Sequence, residues 1–130
     1  MAATVLVVDD DLDLVKAMSH RLRAGGYDVI SAHDGLGATQ MAIRMKPDAI
    51  ILDIGMPGGD GHTVFERLKA HPITTRIPVI YVTARDSYAD RKKAMDAGAL
   101  GYLVKPYRHQ ELLSLVARSV CHPAWQNGAR

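Results

Sequence analysis

Cysteine occurs once in the 130 residues, as Cys121. That excludes a disulfide framework and a cysteine-built metal cage, and it fits a reducing compartment. No apolar run approaches the roughly 18 residues of a membrane span. Neither charge sign dominates, with 16 basic residues against 14 acidic ones, which argues against a nucleic-acid arm or a polybasic membrane patch. The N-terminus, MAATVLVVDDD, lacks the basic segment of a secretory signal, and its short apolar stretch runs straight into acids. The expected location is the cytoplasm. Phosphate-loop motifs are missing as well: Gly35-Leu36-Gly37 is an isolated GxG, and no GxxxxGK(S/T) occurs. Glutamate is the last scarcity. Only Glu66 and Glu111 accompany twelve aspartates, although Glu is the better helix former, so the acids are expected in loops and caps.

What is present is a hydrophobic fraction of 48%, enough for one packed core and too high for intrinsic disorder. Four short apolar runs, Thr4 to Val8, Ala49 to Leu52, Ile77 to Val82 and Leu100 to Val104, are rich in Val and Ile and do not alternate in polarity. That pattern predicts strands buried on both faces. A fifth run, Tyr27 to Ala32, is interrupted by Asp28 and Ser31 and predicts an edge strand. Between them, Leu14, Met18 and Leu22 have helical spacing before Gly25-Gly26, and Ala38, Met41, Ala42 and Met45 have it before Pro47. Val64, Phe65 and Leu68 predict a third helix ending near Pro72, and Leu112, Leu113, Val116 and Val120 a last one. The stretch from Ser87 to Ala97 offers mostly alanine (Ala89, Ala94, Ala97) and predicts a less firmly packed helix, stopped by Gly98. Strands and helices alternate five times. Right-handed crossovers then give a doubly wound α/β domain around a five-stranded parallel sheet. The end of the chain, His122 to Arg130, has no periodicity and is expected to be a tail or the start of a linker.

Asp9, Asp10, Asp11 and Asp13 directly follow the first strand, and Asp53 directly follows the third. In open α/β sheets the ligand crevice lies at the carboxyl ends of strands where strand order reverses, and with the order 2-1-3-4-5 the first and third strands flank that point. Asp9, Asp10 and Asp53 should therefore converge. Such carboxylates repel one another by about 4 kcal/mol per close pair at an effective dielectric near 20, so a divalent cation is the natural compensation. All-oxygen ligands with positions left to water suit Mg²⁺, with Mn²⁺ as the alternative. Asp11 and Asp13 have a plainer reading, as caps of the first helix. Thr83 and Lys105 close the fourth and fifth strands at the same edge. A nucleophilic carboxylate, a metal, a cation and a hydroxyl donor together are what phosphoryl transfer to a carboxylate requires.

With these residues in view, the sequence resembles the receiver domain of bacterial two-component response regulators. The matching segments are VLVVDDD (Val5 to Asp11), DAIILDIGMPGGDG (Asp48 to Gly61), PVIYVTA (Pro78 to Ala84) and AGALGYLVKPY (Ala97 to Tyr107). Any one would be weak, whereas four in register are specific. The resemblance implies a flavodoxin-like (βα)5 receiver domain over residues 1–121, with Asp53 as phosphoacceptor. It implies that Asp9, Asp10, Asp53 and the backbone carbonyl of Gly55 hold Mg²⁺. It further implies that Thr83 and the backbone N–H of Ala84 bind the phosphoryl group, that Lys105 pairs with it, and that Pro106 follows a cis bond. Thr83 and Tyr102 are the implied switch, reorganising the face made by the fourth helix, fifth strand and fifth helix. The implied partners are a sensor histidine kinase or histidine phosphotransfer protein, a downstream effector or fused output domain, and a phosphorylation-dependent second copy. Direct contact with nucleic acid or membrane is not expected, and catalysis is confined to the domain's own phosphorylation and slow dephosphorylation.

Two positions depart from the commonest pattern. Gly55 has no side chain, and Arg85, two residues past Thr83, brings a second cation to the rim. Arg85 is expected to reach the phosphoryl oxygens or Asp53 and, with Gly55, to tune the dephosphorylation rate. Two other readings compete. Asp11-Leu12-Asp13-Leu14-Val15 fits the DxDx(T/V) nucleophile pattern of haloacid-dehalogenase-type phosphohydrolases, although those need a longer chain and more acids after a later strand. A module that keeps the fold without being phosphorylated is the other, against which the intact acids, Thr83 and Lys105 argue. The six histidines are scattered without ligand spacing and read as surface or cap residues. The chain is either a stand-alone receiver or one cut from a longer protein.

Overall fold

A computed structural model describes residues 2–56 and 60–120. Cys121, the tail from 122 to 130 and the Pro57-Gly58-Gly59 stretch lie outside the described residues. The elements run β1 (Thr4–Val8), α1 (Leu12–Ala24), β2 (Asp28–Ala32), α2 (Gly35–Met45), β3 (Ala49–Leu52), α3 (Gly61–Ala70), β4 (Val79–Thr83), α4 (Tyr88–Asp96), β5 (Gly101–Val104) and α5 (His109–Val120). The strands form one parallel sheet in the order β2-β1-β3-β4-β5, which is the doubly wound, flavodoxin-like arrangement. β2 is an edge strand, as its broken apolar pattern predicts, and it starts at Asp28, one residue later than expected. Thr83 is the last residue of β4 and pairs in register with Val104, so it belongs to the sheet rather than following it.

Successive side chains of a strand face opposite ways, and here both faces are covered. Leu6, Val8, Ile50, Leu52 and Tyr81 face a layer containing Ala38 and Ala42 of α2, Val64, Phe65 and Leu68 of α3, and Ala94 of α4. Val5, Val7, Ile51, Ile80 and Val82 face Val15, Met18 and Leu22 of α1 and Leu112 and Val116 of α5. Burying a Val, Leu or Ile side chain contributes about 1.5–3 kcal/mol, so the unalternating apolar runs are explained by two half-cores.

Helix starts account for three of the twelve aspartates. Asp11, Asp34 and Asp60 are the N-caps of α1, α2 and α3, accepting hydrogen bonds from the backbone N–H of Leu14, Gly37 and Thr63; Ser87 does the same for α4. A side-chain oxygen there satisfies one of the otherwise unpaired first-turn donors. α1 and α4 end before glycines at positive φ, Gly26 at 96° and Gly98 at 101°, a conformation that a Cβ disfavours. α4 is the helix with the thinnest apolar face, burying Ala94 alone.

Candidate functional site

The sheet's own hydrogen-bond ladder positions the charged groups. Past the end of β1, the Asp9 N–H donates to the carbonyl of Ala32 (3.2 Å); past β3, the Asp53 N–H donates to that of Val8 (3.1 Å); past β5, the Lys105 N–H donates to that of Thr83 (2.8 Å). Each residue is thus one step beyond a strand and still pinned to the neighbouring strand. Adjacent parallel strands lie about 4.8 Å apart, which brings Asp9 and Asp53 together at the ends of β1 and β3, and Lys105 reaches them from β5 across β4 with its long side chain.

Carboxylate oxygens of Asp9, Asp10 and Asp53 all lie within 4.8 Å of one another. Asp9 and Asp53 are buried and Asp10 is exposed, so the cluster has one side open to water. The Lys105 ammonium lies 2.7 Å from Oδ2 of Asp9 and 3.6 Å from Oδ2 of Asp53. Burial by itself would lower the lysine's affinity for its proton, but the hydrogen bond to Asp9 and the charges of Asp53 and Asp9 outweigh it, and its pKa stands above the ordinary lysine value. One cation does not balance three carboxylates. The uncompensated charge, the all-oxygen donor set and the solvent opening fit a hard divalent cation that keeps several waters. Gly55 is exposed next to the cluster, its N–H donating to Oδ1 of Asp53 at 3.3 Å, and a Cβ built there would meet nothing within 4 Å. Where α3 begins, by contrast, a Cβ on Gly61 would come within 2.6 Å of the Asp53 carbonyl oxygen. Only glycine lets α3 approach the loop after β3 so closely.

Thr83 is buried, and its Oγ1 accepts from the Arg85 N–H at 3.2 Å. Tyr102 is buried against its register partner Tyr81, their ring centroids 5.9 Å apart and the planes inclined by 21°. The Tyr102 hydroxyl donates to the Arg85 carbonyl oxygen at 2.8 Å, and the Arg91 guanidinium sits 4.9 Å from the ring centroid. The Lys105–Pro106 bond is cis. Asp11 serves as a helix cap and Asp13 stands in the first turn of α1; neither is among the three clustered carboxylates.

The Arg85 guanidinium is directed to α4, its Nη1 3.7 Å from Oδ2 of Asp90. One expectation needs correction: the histidines are not all surface or cap residues, because His62 is buried. Its Nε2 lies 3.0 Å from Oδ1 of Asp90, its Nδ1 3.5 Å from the Tyr81 hydroxyl, and its ring 5.5 Å from that of Tyr81. The hydrogen bond with His62, aided by the Arg85 charge, holds the Asp90 carboxyl below the usual carboxylate range. The periodicity did carry a signal for His62, which stands three residues before Phe65 on the apolar face of α3. Nothing in the sequence links it to Asp90, 28 residues away.

Comparison with known proteins gives a consistent picture. Residues 5–117 match the family model described as the response regulator receiver domain. The chain is 45% identical over 106 residues to Response regulator PleD of Caulobacter vibrioides, spanning 82% of this chain and 23% of that protein. It is 44% identical over 112 residues to the transcriptional regulatory protein PrrA of Mycobacterium bovis, spanning 86% of this chain and 47% of that one. The chain therefore covers less than half the length of these curated relatives. Among solved structures, chemotaxis protein CheY4 of Vibrio cholerae superposes with a TM-score of 0.85 at 31% identity, covering 92% of this chain and 99% of that one. The receiver domain of a sensor histidine kinase from Pseudomonas aeruginosa, solved with a magnesium ion coordinated in its active-site cleft, superposes with a TM-score of 0.85 at 30% identity, over 93% and 99% of the two chains.

Proposed function

The chain belongs to the response regulator receiver domain family, and on that footing we propose that it is a Mg²⁺-dependent phosphoacceptor, phosphorylated on Asp53 by a histidine kinase or a histidine phosphotransfer protein. The observation that carries this reading is the convergence of Asp9, Asp10 and Asp53 within 4.8 Å beside the Lys105 ammonium. In the reaction an oxygen of Asp53 attacks phosphorus, an O–P bond forms, and the N–P bond of the phosphohistidine breaks with its electrons left on the imidazole. Lys105, 3.6 Å from Oδ2 of Asp53, pairs with the oxygens of the incoming group, and the Thr83 hydroxyl and the Ala84 N–H donate to them. Asp9, Asp10, Asp53 and the Gly55 carbonyl would hold Mg²⁺, or Mn²⁺ in its place; the bound ion offsets negative charge on the transferred group. Catalysis stops at the domain's own phosphorylation and dephosphorylation.

The output is a change of binding surface. Thr83 moves toward the phosphoryl group, Tyr102 follows, and the face formed by α4, β5 and α5 rearranges for a downstream effector, a fused output domain or a second copy. Residues 1–121 are the receiver unit in this reading, and 122–130 are a tail or the start of a linker. No helix of the described residues is long and apolar enough to cross a membrane, and the location that suits a partner kinase's cytoplasmic face is the cytoplasm.

The test is incubation of the protein with Mg²⁺ and acetyl phosphate, followed by mass spectrometry. An acid-labile adduct that disappears with chelator and in Asp53→Asn is expected. No adduct, or one that survives Asp53→Asn, would overturn the reading.

A further inference from the structure

Arg85 is a junction in the β4–α4 connection. Its N–H bonds the Thr83 hydroxyl, its carbonyl accepts from the Tyr102 hydroxyl, and its guanidinium pairs with Asp90. Asp90 in turn uses both carboxylate oxygens, Oδ2 toward Arg85 and Oδ1 toward His62 of α3. Its place in the first turn of α4, where its N–H meets the Ser87 cap, fixes the carboxylate relative to that connection. His62 is fixed from below by Tyr81, which stacks on Tyr102. One carboxylate therefore joins α3, α4 and the residue to which both Thr83 and Tyr102 are bonded.

We infer that Asp90 is a positioning residue for the chemistry at Asp53: by anchoring the Arg85 guanidinium to α4 and α3, it keeps that cation off the rim of the crevice and leaves the approach to Asp53 open to water. The inference rests on the phosphoacceptor reading above. Hydrolysis of the acyl phosphate requires a water to attack phosphorus, breaking the bond to Asp53 and releasing inorganic phosphate, with the water's proton lost to that phosphate or to solvent. A released guanidinium is drawn to the phosphoryl oxygens by charge and by its fork of donors, and there it occupies the water's path. The Arg85–Asp90 pair is partly exposed, with side-chain exposures of 50% and 21%, so the anchor is weak enough to be lost with a single charge.

The half-life of the Asp53 adduct, formed with acetyl phosphate and Mg²⁺ and followed after donor removal, tests this in four proteins: parent, Asp90→Asn, Arg85→Ala and the double variant. Asp90→Asn is expected to lengthen the half-life at least threefold in the parent background and to change it less than twofold in the Arg85→Ala background. A merely structural role for Asp90 would shift both backgrounds alike. That result, no shift in either, or a shortened half-life would overturn the inference. Should Asp90→Asn fail to melt cooperatively, Asp90→Ser removes the same charge with less bulk and is read in the same way. Absence of any adduct on the parent would overturn the phosphoacceptor reading, and this inference with it.

Discussion

Asp9 is buried with the Lys105 ammonium 2.7 Å away and two more carboxylates nearby, so removing that ammonium strands negative charge in a poorly solvated place. Breaking a buried pair from one side costs roughly 3–5 kcal/mol, and the solvent opening at Asp10 brings the expected loss for Lys105→Met down to about 2–3 kcal/mol. Urea unfolding checks it. Millimolar Mg²⁺ should recover part of the loss, because a divalent ion among the three acids replaces the missing charge; an equal loss with and without Mg²⁺ would count against the metal site. At this scale the sequence told unevenly. Asp9, Asp53, Thr83 and Lys105 were legible because each ends or directly follows a strand, and strand direction determines where such residues go. The partners of Arg85 and His62 were not. Which neighbour a long side chain meets depends on how α3 and α4 pack, and no local spacing encodes that.

α4 stands apart among the elements. The Ala-rich stretch predicts loose packing, and the folded helix buries Ala94 alone, leaving its attachment to the Ser87 cap, the Asp90 contacts with His62 and Arg85, and Arg91 over Tyr102. Losing an N-cap hydroxyl costs about 1 kcal/mol. Ser87→Ala is therefore expected to speed amide hydrogen exchange in α4 about fivefold while leaving α2 unchanged, since local opening follows local stability. Equal acceleration in both helices would show that α4 does not open on its own. Helix ends were largely legible, because Gly25-Gly26, Pro47 and Gly98 are stops whose chemistry is local, whereas the caps Asp34 and Asp60 show only in the folded chain. β2 lost Tyr27 and β4 gained Thr83 because strand ends are decided by the neighbouring strand's ladder, which the sequence of one strand does not contain.

For the molecule as a whole, pH should limit stability from both sides. In acid, the Asp60 carboxyl is lowered chiefly by its hydrogen bond from the Thr63 backbone N–H, and that of Asp90 by its bond with His62. Groups lowered in the folded state stabilise it fully above the unfolded value, about 3.9, and lose that contribution as pH falls through the folded values. In alkali, burial raises Tyr81, Tyr102 and Tyr107, and Lys105 is raised on balance by Asp9 and Asp53 against the opposing effect of burial. Their contribution is full below the unfolded values near 10 and is lost as pH rises through the folded ones. Lys69, lowered by its burial, works the other way and only softens the alkaline fall. Urea midpoints should be level from pH 6 to 9 and drop below pH 4 and above pH 10; a steady slope through neutrality would contradict this. The ladder that continues past the strands to hold Asp9, Asp53 and Lys105 has a consequence for descent as well as for chemistry. Those three groups are spaced by main-chain atoms, which substitution does not alter. The outer faces of the helices are therefore free to diversify, and copies of such a gene can drift toward new partners while the carboxylates and their lysine stay in step.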